Sequence, residues 1–272
     1  MSWRILKDVM IGILLFINVV LLATLYWVES DNTILSKENV EHAVSVLGKG
    51  GITVDPSIIP VKTESLGLLP MVAAVSDHEK FANAFLGSGW DYQKEETSGT
   101  DVYQKNEHIV RLNGGYLKYY SARSAEGEPT EEDWIDVEKK LEEAGVPFHG
   151  AYYYPKDANT RVYREQVKGK NFFEGRLSVV ADKEGIVSVE GFWMVPSGAA
   201  FSAEEVQPVT EIFAQFLRDS DRNAASTQIT GITLGYSVLL GTSEVNYREA
   251  TAIPAWRITT GDARAYYYDA RR

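Results

Sequence analysis

From Val9 to Val28 the chain runs twenty residues without a formal charge, dominated by Ile, Leu, Val and Phe. A helix rises about 1.5 Å per residue, so such a run matches the roughly 30 Å hydrocarbon core of a bilayer. A helix is also the form in which a single segment satisfies its own backbone hydrogen bonds in lipid. Arg4 and Lys7 precede the run, and Glu29 and Asp31 follow it. That asymmetry predicts a cytoplasmic tail over residues 1–8, a transmembrane helix over 9–28 and an extracytoplasmic remainder. Tyr26 and Trp27 suit the outer aromatic belt, and Trp3 the inner one. The run is longer than a signal-peptide core and ends Leu25-Tyr26-Trp27-Val28-Glu29, without a small-x-small cleavage site, so an uncleaved anchor in the cell membrane is expected.

One residue within the run stands out. Asn18 lies at its middle, where a carboxamide needs a hydrogen-bonding partner. It can bond a carbonyl of its own helix, or reach a neighbouring helix for about 0.6–2 kcal/mol. Asn18 is therefore the candidate transmembrane contact with a partner.

The remainder has the composition of a folded protein, with 44% hydrophobic and 24% charged residues across the chain. Four segments carry helical periodicity. Ser36 caps a stretch with Val40, Ala43, Val44 and Leu47 on one face, stopped by Gly48, Gly50 and Gly51. Ser76 with Glu79 and Thr130 with Asp133 have capping-box spacing ahead of apolar runs. Ser202 with Glu205 is read as opening a fourth helix, with Pro208 complicating its start. Strand signals lie between them. His108–Leu112 and Tyr116–Tyr120 flank Asn113-Gly114, a hairpin turn pair. Arg176–Val180 and Ile186–Trp193, then Thr230–Leu239, Ala255–Thr259 and Ala265–Tyr268, complete the set.

Grouped rather than alternating elements predict an α+β class with antiparallel sheets. A helix–glycine–strand order recurs at Val40–Asp55 and Val137–Tyr153. It suggests two related lobes, an N-terminal one over 29–125 and a C-terminal one over 126–272.

The residues offer no catalytic signature. Cysteine is absent, which removes disulfides, thiolate metal sites and cysteine nucleophiles. His42, His78, His108 and His149 are widely spaced, and His78-Glu79 lacks a second histidine four positions on. There is no G-x-S-x-G elbow, and Gly48-Lys49-Gly50-Gly51 lacks the spacing of a phosphate loop. No catalytic residue, metal ligand or cofactor is therefore expected, and the chain is read as a binding protein and not an enzyme. A net charge of −11 argues against nucleic acid as the partner. The runs Tyr119-Tyr120, Tyr152-Tyr153-Tyr154 and Tyr266-Tyr267-Tyr268 are good strand formers, and one tyrosine of each is free to face a partner. A wall-modifying enzyme with two carboxylates is the third reading, and it requires a concave cleft with paired acids.

Three stretches carry a resemblance. They are Trp3, Lys7 and Phe16-Ile17-Asn18-Val19; then Leu35-Ser36-Lys37 through Gly51-Ile52-Thr53-Val54-Asp55 to Ile58-Ile59-Pro60; and Ile253-Pro254-Ala255-Trp256-Arg257-Ile258 through Tyr266-Tyr267-Tyr268-Asp269-Ala270. In that order they resemble the YycH/YycI family, Gram-positive accessory regulators of the WalK (YycG) sensor histidine kinase. The closing stretch is also similar to PepSY-like modules, which keeps a peptide-binding or inhibitor module as the alternative. The family resemblance implies a membrane-tethered regulator in a hetero-oligomer with the kinase and a YycH-like protein. It also implies an effect on cell-wall metabolism and a role for Asn18 within the membrane.

Overall fold

The computed structural model describes residues 14–20, 35–62, 64–148, 151–219, 227–239 and 248–272. The fold is mixed α+β, with a few helices on a mostly antiparallel sheet. Of the expected span, residues 14–20 are helical; the rest of 9–28 lies outside the described residues. Among the described residues, no helix is long and apolar enough to cross a membrane.

Four helices follow, α1 (Lys37–Lys49), α2 (His78–Leu86), α3 (Glu131–Glu143) and α4 (Val209–Arg218). Ser36 Oγ accepts from the amide of Asn39, capping α1, and Gly50 closes it. Thr130 and Asp133 form a reciprocal capping box on α3. The expected box at Ser76 and Glu79 is not formed. Asp77 caps α2 instead, accepting from the amide of Lys80, because its carboxylate stands one residue nearer the first turn. The fourth helix also starts later than expected. Ser202 and Glu205 belong to a strand, and Pro208 occupies the N-cap of α4 without a side-chain hydrogen bond.

Among the described residues the strands form one sheet of fifteen. In its first part, β3 (Asp91–Lys94), β4 (Asp101–Lys105), β5 (His108–Asn113) and β6 (Tyr116–Tyr120) run as an antiparallel meander. The turn from β5 to β6 is Gly114-Gly115, one residue past the expected Asn113-Gly114: Asn113 ends β5 and pairs with Tyr116, and Gly114 takes φ 55°. β6 pairs with β10 (Gly185–Phe192), which pairs with the long β9 (Lys170–Asp182). Beyond β9 stand β8 (Thr160–Val167) and the edge strand β7 (Tyr152–Asp157).

The start of β9 also pairs in parallel with β13 (Thr227–Ser237), and so joins this part to the second. There β14 (Glu249–Thr260) lies between β13 and β2 (Ser65–Ala73), with β15 (Ala265–Asp269) also paired to it. β1 (Ile52–Val54) adds to β13, and β11 (Met194–Pro196) and β12 (Phe201–Glu205) cover successive halves of β2.

Two helix pairs cover two cores. In the first, Phe81, Ala82 and Leu86 of α2 and Trp134, Val137 and Leu141 of α3 pack on Val110, Leu117, Leu177, Val179 and Val189. In the second, Val40, Ala43 and Leu47 of α1 and Ile212, Phe213 and Phe216 of α4 pack on Ile52, Ile229, Trp256 and Ile258. The expected line between residues 125 and 126 falls inside the first core, which holds Tyr119 and Trp134 alike. The second core combines residues before 60 with residues after 205, because β1 returns to pair with β13.

Candidate functional site

Side chains alternate across a strand, so paired registers show which residues share a face. On the first part of the sheet, Leu117, Tyr119, Tyr163, Leu177, Val179 and Val189 face α2 and α3. The opposite face carries three rows that cross the strands. One runs Tyr152–Arg164–Arg176–Phe192–Tyr116–Asn113. The next runs Tyr154–Val162–Ser178–Glu190–Lys118–Arg111, and the third Thr160–Val180–Ser188–Tyr120–Ile109.

Part of this face is aromatic and open, while Val162, Phe192 and Thr160 on it are buried. Tyr116, Tyr120, Tyr152 and Tyr154 are 40–50% exposed, although a tyrosine in a strand normally packs its ring. The expected single outward tyrosine holds for Tyr119-Tyr120, where Tyr119 is buried. In the second run two tyrosines, Tyr152 and Tyr154, share the outer face, while Tyr153 turns to the Arg161 guanidinium 4.2 Å from its ring.

Where the face meets the second part of the sheet there is a cleft of about 570 Å³. Arg111, Lys118, Arg176, Tyr116, Glu174 and Leu239 are among its walls. Both of its acids are engaged. Glu190 pairs with Lys118 across the strands at 3.0 Å. Glu174 accepts from Ser237 Oγ at 2.6 Å and from the amide of Val238 at 3.2 Å. Burial raises the Glu174 carboxyl above its ordinary range, and those hydrogen bonds only partly offset it. Gly191 lets β10 approach β9 here: a Cβ on it would sit 2.0 Å from the Arg176 carbonyl oxygen.

A second cleft, about 670 Å³, lies beside the start of α2 and includes Ser76, His78, Glu79, Arg248 and Glu249. His78 Nδ1 lies 2.7 Å from Asp101 Oδ2, and the Tyr92 hydroxyl donates to Asp101 Oδ1 at 2.9 Å. Burial alone would raise the Asp101 carboxyl. The hydrogen bonds from Tyr92 and His78, with Lys94 nearby, outweigh it and hold the group below its usual value. The other ring nitrogen of His78 has no hydrogen-bond partner among the described residues.

As for the other histidines, His42 is exposed on α1, His108 stacks on Tyr119, and His149 lies outside the described residues. Among the described residues no three histidines or acids gather as a metal site. Asn18 is exposed, and its Nδ2 donates to the Leu14 carbonyl oxygen at 2.9 Å, a bond within its own helix that leaves Oδ1 available.

One buried acid stands apart. Glu165 is 4% exposed, packed over Gly175, with Oε2 lacking a partner. Burial pushes its carboxyl up to about 8, against a single opposing backbone hydrogen bond near Met194. Sequence reading missed Glu165, Arg164 and Arg176. Period-two alternation in β8 would have placed Glu165 with Tyr163, but the pairing of Arg164 with Arg176 depends on register across strands.

No family model matches the chain, and no curated protein matches it. Among solved structures, an uncharacterized protein from Eubacterium rectale is similar over 88% of this chain and 97% of its own, at 12% identity and a TM-score of 0.50. That likeness is one of fold. The C-terminal domain of Bacillus megaterium YpeB is matched over 73% of this chain and 94% of its own, at 11% identity and a TM-score of 0.35.

Proposed function

We propose that this chain is a membrane-tethered, outward-facing regulator that binds a protein partner through the outer face of its first sheet. The partner is a sensor histidine kinase of the WalK (YycG) type, with a YycH-like protein in the same assembly. The observation that carries the binding reading is the exposure of Tyr116, Tyr120, Tyr152 and Tyr154 on one sheet face, opposite the helices. Large aromatic side chains left open on a rigid surface supply interface area at little entropic cost. The engagement of Glu174 and Glu190 within the fold counts against two-carboxylate hydrolysis in the cleft of this face. The anchor at 9–28 rests on the uncharged apolar run and its flanking charges, and the kinase partner rests on the sequence resemblance.

Affinity purification of the full-length protein from gently solubilised native membranes tests the partner. Recovery of a sensor kinase and a YycH-like protein, lost when residues 9–28 are replaced by an unrelated apolar helix, is the expected result. Recovery that survives the replacement moves the contact wholly to the exterior and favours the peptide-binding alternative. Recovery of neither contradicts the proposal.

A further inference from the structure

Arg164 and Arg176 are register partners on β8 and β9 and share the outer face. Partners in a register bring their Cβ atoms to about 4.5–5.5 Å, and like charges placed so destabilise a sheet. Several cations elsewhere in the fold are paired with acids. Lys118 has Glu190, Arg111 has Glu95, Arg123 has Asp182 and Lys170 has Glu64. Neither Arg164 nor Arg176 has an acid or acceptor among the described residues, in a chain of net charge −11. An acidic molecule that leaves two arginines opposed and unpaired on an open face is paying for something the isolated fold does not use.

From this we infer that the Arg164–Arg176 pair is the anchor for a carboxylate on an extended acidic segment of a protein partner. The inference rests on the outer face being the binding face. Two guanidinium groups at one strand spacing can hold one carboxylate from both sides through charge-assisted hydrogen bonds. Tyr152 stands beside Arg164, and the exposed Tyr116 stands beyond the buried Phe192 on the other side of Arg176, so aromatic contact is available at both ends of the row. Arg111 and Lys118 line the same cleft as Arg176, but each is paired with an acid of the fold, which leaves the arginine pair as the open charge. A long polyanion or an anionic bilayer fits poorly, because the surrounding acidic surface repels it while the positive row is only a few residues wide. A short peptide with acids among apolar residues fits both features.

The test uses the full-length protein in a non-ionic detergent and a fluorescent hexapeptide of alternating glutamate and valine. Its glutamine counterpart, inorganic polyphosphate and phosphatidylglycerol vesicles serve as competitors. The glutamate peptide is expected to bind saturably, and the glutamine peptide at least about tenfold more weakly, the scale of one lost charge-assisted bond. Arg176→Glu is expected to weaken binding by at least about tenfold while leaving the melting temperature unchanged or higher, since it pairs with Arg164. Lys49→Glu, the same charge change at the end of α1, is expected to leave binding unaltered. Equal binding of the two peptides, or of Arg176→Glu and the parent, overturns the inference. So does a lower melting temperature for Arg176→Glu, which makes the pair structural, or stronger competition from polyphosphate or vesicles, which makes the row a polyanion or lipid site. Failure here with a partner still captured by the outer face sinks only this inference; failure of both sinks the binding face itself.

Discussion

The indole N–H of Trp256 donates to the carbonyl oxygen of Gln207 at 2.8 Å, tying the middle of β14 to the residue before the Pro208 cap of α4. Trp256 is buried in the second core with Ile212 and Phe216. Trp256→Phe keeps most of the apolar surface but strands that carbonyl. A loss of about 1–3 kcal/mol in stability is expected, the usual cost of a buried group left without its partner, as read by urea denaturation.

Glu165 makes stability fall as pH rises. Its folded pKa of about 8 lies above the ordinary 4.5, so the native state holds a proton that the unfolded chain releases. The penalty is absent below the unfolded value, grows between the two and is complete above about 8. Glu165→Gln is expected to flatten that slope and to stabilise the protein at pH 8.5 by on the order of 2–4 kcal/mol relative to pH 4.5. Denaturation midpoints of both proteins across that range give the answer, and parallel curves would remove Glu165 as the cause.

Arg123 and Asp182 behave in the opposite sense. Asp182 is fully buried; its carboxylate accepts from Arg123 and from the amides of Glu126 and Glu184. Burial raises its pKa, but those donors outweigh burial and lower it below 3.8. The stability they supply is present above pH 3.8 and lost as pH falls through the lowered value. Arg123→Met leaves the charge unpaired and is expected to cost about 2–4 kcal/mol at pH 7, less than a wholly buried pair because the guanidinium is partly open. The deficit is expected to shrink in acid.

The parts of this fold that were legible in the sequence are the local ones. Ser36 and Thr130 cap α1 and α3 because a cap is decided within three residues, and the hairpin expected at Asn113-Gly114 forms one residue on, at Gly114-Gly115, because a turn is decided within two. β2 was missed because Gly67 and Pro70 interrupt its apolar run. The sheet tolerates both. Pro70 falls between the stretches of β2 that pair with β11 and β12, and a Cβ on Gly67 would meet the Phe201 carbonyl oxygen at 2.6 Å. Ser202 and Glu205 had helix-cap spacing, but pairing with β2 draws their segment into β12. The outer face itself was half visible. Tyrosine runs marked the strands, while the meeting of Arg164 with Arg176 is a matter of register that no local pattern encodes.

Asn18 carries the membrane side of the account. One Nδ2–H is used by the Leu14 carbonyl, so contact with a partner helix falls to Oδ1 and the second Nδ2–H. Asn18→Leu is expected to leave insertion unchanged and to weaken association with partner helices by about 0.6–2 kcal/mol. Fluorescence energy transfer between labelled proteins in bilayers measures it, and unchanged association would leave Asn18 without a part in assembly.

The most direct measurement is site-specific photo-crosslinking in living cells. Benzoylphenylalanine replaces Tyr120 or Tyr154 on the outer sheet face, or Ile135, which is 63% exposed on α3. The account predicts an adduct with a sensor kinase or a YycH-like protein from Tyr120 and Tyr154 and none from Ile135. An adduct from Ile135 alone, or none from any position in a folded and abundant protein, would contradict it.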